Sequence, residues 1–184
     1  MPFPVTASRL DPIASRTTTM SDRTAEKRAT PDDYPRFMQV AYEQALKSRS
    51  EGGIPIGAAL IHLPTSRVLS KGHNNRVQMS SNVRHGEMDC LENLGRVPEG
   101  LLRKCAMFTT LSPCIMCSAT CVLYKIPLVV LAENQNFVGG EQLLLDNGVE
   151  VINLNDETIT KMMTDWIGSP QGSVWNEDIG EVSK

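Results

Sequence analysis

The chain is poor in histidine: His62, His73 and His85 are all it has among 184 residues, so any imidazole chemistry falls to one of these three. It also lacks any run of 18 or more apolar residues, which excludes a membrane-spanning helix and a membrane partner. Its first residues contain no apolar segment of the secretory kind, which predicts an intracellular, cytoplasmic protein. Cysteine is present in an odd number: Cys90, Cys105, Cys114, Cys117 and Cys121. Without secretion they read as reduced thiols or metal ligands rather than as a disulfide framework. There is no excess of positive charge either. Residues 1–30 carry five basic and three acidic side chains, a net of +2, so the rest of the chain carries −5 of the total of −3. An acidic body disfavours tRNA or DNA as partner, because polyanion binding draws on a basic face. No internal repeat and no heptad run is present.

What the chain does have is enough apolar residue, 41% against 21% charged, to bury one sizeable core. Residues 1–30, rich in Ser, Thr, Ala and Arg and without a sustained apolar period, are predicted to be a disordered extension. Asp11, Asp22 and Glu26 count against a mitochondrial presequence there. Order is predicted from residue 31 to 184. Thr30 suits an N-cap and Pro31 the first turn of a helix through "TPDDYPRFMQVAYEQALKSRS". "GGIPIGAALIHL" and "RVLSKGHN" read as a hairpin turning at Pro64 to Ser66. Helix "EMDCLENLG", strand "AMFTTLS", helix "PCIMCSATCVLYK" and strand "PLVVLAEN" follow. Helix "GGEQLLLDNG", strand "VEVINL" and helix "NDETITKMMTDWIG", capped by Asn155 and closed at Gly168, complete the pattern. Helices alternating with strands after an opening hairpin predict an α/β domain: a mixed five-stranded sheet covered by helices on both faces.

"SPCIMC" carries the first chemical signal. Cys114 and Cys117 have C-x-x-C spacing at a helix start, with Pro113 fit for the first helical position and Ser112 for its cap. Positions i and i+3 share a helix face, so both sulfurs can point at one centre, and the positive end of the helix favours thiolate. Such a pair binds metal or forms a redox couple. A redox pair would follow the first strand of a βαβ unit, whereas this one sits mid-chain, which favours metal. His85, in "RHGEMDC", is the natural third ligand, and two thiolates, one imidazole and one open position describe a catalytic zinc site. A structural site would need a fourth ligand. Cys121 lies a full turn deeper and, like Cys90 and Cys105, reads as packing. A zinc with an open position acidifies a bound water, which then needs a group to take its proton. Glu87, two residues after His85 in the first helical turn, is placed for that shuttle.

H-x-E followed by P-C-x-x-C is the signature of zinc nucleobase deaminases. Within that class, "GGIPIGAALI", "GHNNR", "HGEMDCLENLGR", "FTTLSPCIMC", "ENQNF" and "WNEDIGE" resemble the fungal, yeast-type cytosine deaminases, over roughly residues 35 to 181. The resemblance implies the three-layer α/β/α cytidine deaminase-like fold and a zinc-dependent deaminase domain over residues 31–184. The implied reaction is hydrolysis of cytosine to uracil and ammonia in pyrimidine salvage, with 5-fluorocytosine also accepted. It implies one Zn2+ on His85, Cys114 and Cys117, Glu87 as the catalytic acid and base, and a homodimer. It further implies that Asn74 and the amide of Gly86 meet the carbonyl edge of the base, and that the Ser112 carbonyl accepts from the amino group. Phe137 and Trp175 would stack over the ring, and Asp178 would accept from a ring N–H.

Three features depart from that family. Asn176 follows the tail tryptophan where an aromatic is common, Arg84 precedes His85 where an apolar residue is usual, and "GSPQGSV" is long. They bear on the lid and the substrate rather than on the metal. The nearest alternatives are a guanine or tRNA adenosine deaminase and, in another class, a zinc module without catalysis. The tRNA enzymes usually carry "HAE" rather than "HGE".

Overall fold

The computed structural model describes residues 28–98 and 100–179, apart from the side chains of 177 and 178. The first thirty residues, expected to be disordered, lie almost entirely outside this range.

Thr30 opens the domain as its sequence position suggests. Its N–H and hydroxyl both donate to the Asp33 carboxylate, at 2.9 and 3.0 Å. Those bonds and Arg36 hold the Asp33 carboxyl down at about 2. Pro31–Asp33 form a 3-10 turn that runs into α1, Tyr34–Ser50. The buried side of α1, Phe37, Met38, Ala41, Gln44, Ala45 and Ser48, follows the helical period and lies on the sheet.

Strands β1 (Gly57–His62) and β2 (Arg67–His73) form the expected hairpin, with Ser66 in the left-handed region at its turn. A short α2, Arg76–Met79, which the sequence pattern does not announce, is followed by α3, Gly86–Leu94. Next come β3 (Cys105–Thr109), α4 (Ile115–Leu123), β4 (Leu128–Leu131), α5 (Glu141–Asp146), β5 (Glu150–Asn153), α6 (Glu157–Ile167) and α7 (Val174–Asp178). The sheet order is β2-β1-β3-β4-β5, antiparallel across β2, β1 and β3 and parallel across β3, β4 and β5.

Alternation along the strands sorts the core into two layers. Ala59 and Ile61 of β1 and Phe108 of β3 face α1 and α6, whereas Ala58, Leu60 and Met107 face α3, α4 and α5. The three-layer α/β/α arrangement is therefore built from the strand period itself. Cys90, Cys105 and Cys121 belong to the second layer as packing residues, and burial pushes their thiols up to about 12, 11 and 12.

Gly72 of β2 decides how closely α3 lies on the sheet, because a Cβ there would run into the backbone of Asp89 and Cys90. Gly72→Ala is expected to cost about 1–3 kcal/mol through overpacking. That amounts to a melting temperature lower by roughly 2–12 °C in a protein of this size, read by calorimetry.

Two caps differ from expectation. Asp156, not Asn155, caps α6: its carboxylate accepts from the Ile159 N–H at 3.0 Å, the spacing a cap requires, while Asn155 takes the left-handed conformation. At α4 the residue in the cap position is Cys114 rather than Ser112. The Ser112 hydroxyl is committed elsewhere, donating to Glu141 at 2.7 Å and accepting from the Gly139 N–H at 2.9 Å.

Candidate active site

The connections into α3 and α4 open onto one place beside the sheet. His85 and Cys114 are the cap residues of these two helices, both extended, with ψ of 163° and 171°. Each side chain therefore leaves the chain just before a helix begins, in the positive field of that helix's first turn. Cys117 follows in the first turn of α4 and is buried.

The three ligand atoms lie within 4.8 Å of one another, and they form the one such group of His, Cys, Asp or Glu side chains among the described residues. Around a tetrahedral zinc, bonds of ~2.3 Å to sulfur and ~2.0 Å to nitrogen set two sulfurs ~3.8 Å apart and a sulfur and a nitrogen ~3.5 Å apart. Cys114 Sγ is 3.6 Å from Cys117 Sγ and 3.5 Å from His85 Nδ1, so the donor set fits the ion. The two sulfurs titrate in opposite directions. Cys114 is held at about 4, first by the hydrogen bond from Cys117 and then by His85, while Cys117 is raised by that same bond and by burial. A thiolate stands ready at the cap, and a divalent cation draws the second proton off.

Glu87 is buried beside these ligands but is not one of them. Thr109, at the end of β3, donates its hydroxyl to Glu87 Oε1 at 2.9 Å and lies 3.1 Å from the Leu111 carbonyl. Burial first, and the negative charge of Cys114 second, raise the Glu87 carboxyl above the usual range. A carboxyl so shifted holds a proton more readily than an exposed one and is suited to taking it up and giving it back.

A cleft over this group is lined by Ile56, His85, Glu87, Leu111, Ser112 and Cys114, with Phe137, Trp175 and Ile179 closing it. The Phe137 and Trp175 rings meet edge-on, centroids 5.8 Å apart at 88°. A roomier depression, about 920 Å³, lies elsewhere, lined by α3, residues 95–98 and 100–103, and the end of α4, and holds no such ligand set.

Of the residues that the sequence pattern marks, His85, Glu87, Ser112, Cys114, Phe137 and Trp175 line this cleft, with Cys117 beside Cys114. Asn74 is fully buried next to it; its N–H donates to the Ile56 carbonyl, and its side-chain oxygen accepts from the Arg76 N–H at 3.1 Å, starting α2. Gly86 is buried as the first residue of α3, and a Cβ on it would meet Gly57 and the Ile56 carbonyl at 3.4 Å, ordinary contact, so packing does not require glycine there. The side chain of Asp178 lies outside the described residues. Arg84 is not a lid residue: its Nη1 pairs with buried Asp89 at 2.9 Å, tying the approach to α3 onto the helix. Ile56, Thr109, Leu111 and Ile179 join the site as well; they stand inside the segments that carry the resemblance, but the sequence alone gives none of them a role. Thr109 alone leaves a trace in the sequence, a hydroxyl in an otherwise apolar buried strand.

Fold and site together define a class. Residues 31–133 match the model of the cytidine and deoxycytidylate deaminase zinc-binding region, and the chain belongs to that family. Solved structures share the fold at low identity. A guanine deaminase from Nitrosomonas europaea superposes with a TM-score of 0.63 at 17% identity, over 78% of this chain and 87% of that one. A tRNA:A34 deaminase gives 0.55 at 19%, over 66% and 98%. Within the class, the chain is 51% identical to the cytosine deaminase of Candida albicans over 150 residues, 81% of this chain and 98% of that protein. It is 36% identical to a tRNA-specific adenosine deaminase of Streptococcus pyogenes over 58% of this chain and 67% of that one.

Proposed function

We propose that this enzyme deaminates free cytosine to uracil and ammonia, as a step of pyrimidine salvage, and that it accepts 5-fluorocytosine as well. The observation that carries the reading is Glu87, buried and hydrogen-bonded beside a His/Cys/Cys set in a chain half identical to a cytosine deaminase over nearly that protein's whole length.

His85, Cys114 and Cys117 would hold Zn2+, which when bound supplies a nucleophilic water at neutral pH. Glu87 takes one proton of the attacking water at its carboxylate and gives it to the ring nitrogen, then takes the second from the hydroxyl now on the ring carbon and gives it to the leaving amine, so that cytosine and water become uracil and ammonia and the enzyme ends as it began. Thr109 keeps the carboxylate aimed by its hydroxyl. Phe137 and Trp175 press the ring flat and keep bulk water out. The family resemblance assigns the base's carbonyl edge to Asn74 and the Gly86 amide, its amino group to the Ser112 carbonyl and a ring N–H to Asp178.

We also read the protein as a cytoplasmic homodimer. The described residues include no helix long and apolar enough to cross a membrane. Ile115, Leu123 and Tyr124 of α4 and its end are 62%, 71% and 48% exposed, apolar surface suited to a second copy.

Ammonia release from cytosine, 5-fluorocytosine, cytidine, guanine and adenine tests the reading. Turnover of the first two alone is the expected result. Turnover of guanine or adenine in place of cytosine would move the enzyme to another branch of its family, and inertness toward 5-fluorocytosine alone would overturn that part.

A further inference from the structure

Glu133 is fully buried, and no step of the reaction uses it. It stands two residues past the end of β4, at the carboxyl edge of the parallel strands, where ligand sites form in such sheets. Its carboxylate collects three donors from its own loop. Oε2 accepts the Gln135 and Asn136 N–H groups at 2.7 and 3.1 Å, and Oε1 accepts the Asn136 side-chain amide at 3.0 Å. The same amide donates to the Thr160 carbonyl at 3.2 Å, and its oxygen accepts from the Thr164 hydroxyl at 3.0 Å, so the loop is fastened to α6. Three residues farther on, the Gly139 N–H binds the Ser112 hydroxyl and the Gly140 N–H the Pro113 carbonyl. Phe137 sits between these two fastenings, one on Glu133 and one on the Ser112–Pro113 turn.

Both halves of the aromatic wall therefore take their position from α6. Met163 and Trp166 of that helix pack in one cluster with Trp175, Ile56 and Leu111, and Phe137 packs against the cluster. Asn136 supplies the polar side of the same registration.

We propose that Glu133 is a positioning residue for the base-binding cleft, holding Phe137 against Trp175 through its bonds to the 135–136 backbone and to Asn136. This rests on the reading of the cleft as the site for a flat base. Glutamine has the shape of glutamate but only one acceptor oxygen, so its amide nitrogen faces one of the three converging N–H groups in one orientation and two in the other.

The test is a double-mutant cycle on zinc-loaded, full-length protein, combining Glu133→Gln with Phe137→Ala. Glu133→Gln is expected to keep its zinc and to lower kcat/KM for cytosine roughly tenfold to a hundredfold, the scale of a misplaced wall, mainly through KM. In the Phe137→Ala background the same change should cost less than about threefold, because the ring it positions is gone. Additive losses would overturn the proposal, as would a silent Phe137→Ala. Should Glu133→Gln fail to fold, Asn136→Ala carries the same cycle with the same two outcomes. Should the wild type be inert on cytosine, the substrate reading fails, and the cycle is read on acrylamide quenching of tryptophan fluorescence. Each single change should then raise quenching of Trp175 and the double change should add nothing; a Glu133→Gln that leaves quenching at the wild-type level would overturn the proposal.

Discussion

Glu87→Gln is expected to yield a folded protein with its zinc in place and kcat/KM for cytosine lower by about a thousandfold, inside the ~10²–10⁴ range that a positioned acid–base group supplies. The carboxamide fills the same buried space, and the Thr109 hydroxyl can still donate to its oxygen. Removing a buried group whose ionisation burial disfavours leaves the fold no weaker. What is lost is the ability to hold a proton and give it back at the two points where the ring nitrogen and the amine need one. Activity and zinc content, measured on the same preparation, decide the matter. A variant with full zinc and near-normal turnover would remove Glu87 from the reaction.

Cys117→Ser should produce a larger and different loss, in which both zinc and turnover disappear. Cys117 is buried in the first turn of α4, and no other described His, Cys or carboxylate joins the cluster to replace it. Serine keeps the volume of the site but offers zinc a poor ligand, since soft thiolates rather than hydroxyls hold this ion. Stability follows occupancy. Where free zinc stands a thousandfold above its dissociation constant, binding contributes about 4 kcal/mol. Losing that lowers the melting temperature by roughly 8–16 °C in a protein of this length. Added zinc should raise the melting temperature of the wild type after chelation but leave that of Cys117→Ser where it is. Retention of stoichiometric zinc by Cys117→Ser would refute the ligand assignment.

Residues whose roles are set within a few positions of chain are legible in the sequence alone. Cys114 and Cys117 converge because the cap residue of a helix sends its side chain back toward the third residue of the first turn, and Glu87 follows His85 at a helix start for equally local reasons. The strand period likewise carries the five-stranded sheet and its two covered faces. Roles that depend on distant or competing partners stay hidden in the linear order. Arg84 looks like a lid residue because it precedes His85, yet its partner, buried Asp89, lies a turn into α3. Ser112 would be free to cap α4 if Glu141, twenty-nine residues later, did not take its hydroxyl. Thr109 reaches Glu87 only because odd-numbered positions of β3 face α3, a register that pairing with β1 and β4 decides. Asn155 and Asp156 are equally good caps in sequence, and only the backbone turn at Asn155 separates them.

The odd count of five cysteines divides by accessibility into two chemical populations. Cys90, Cys105 and Cys121 are shut inside the second core layer as protonated, unreactive thiols. The thiol that an oxidant or alkylating agent could attack is thus Cys114, half-buried and held at about 4, which with buried Cys117 forms the pair that a metal ion covers. Oxidative inactivation and metal loss then become one event at one place, and the bound ion doubles as the protecting group for the one low-lying thiol of the described residues.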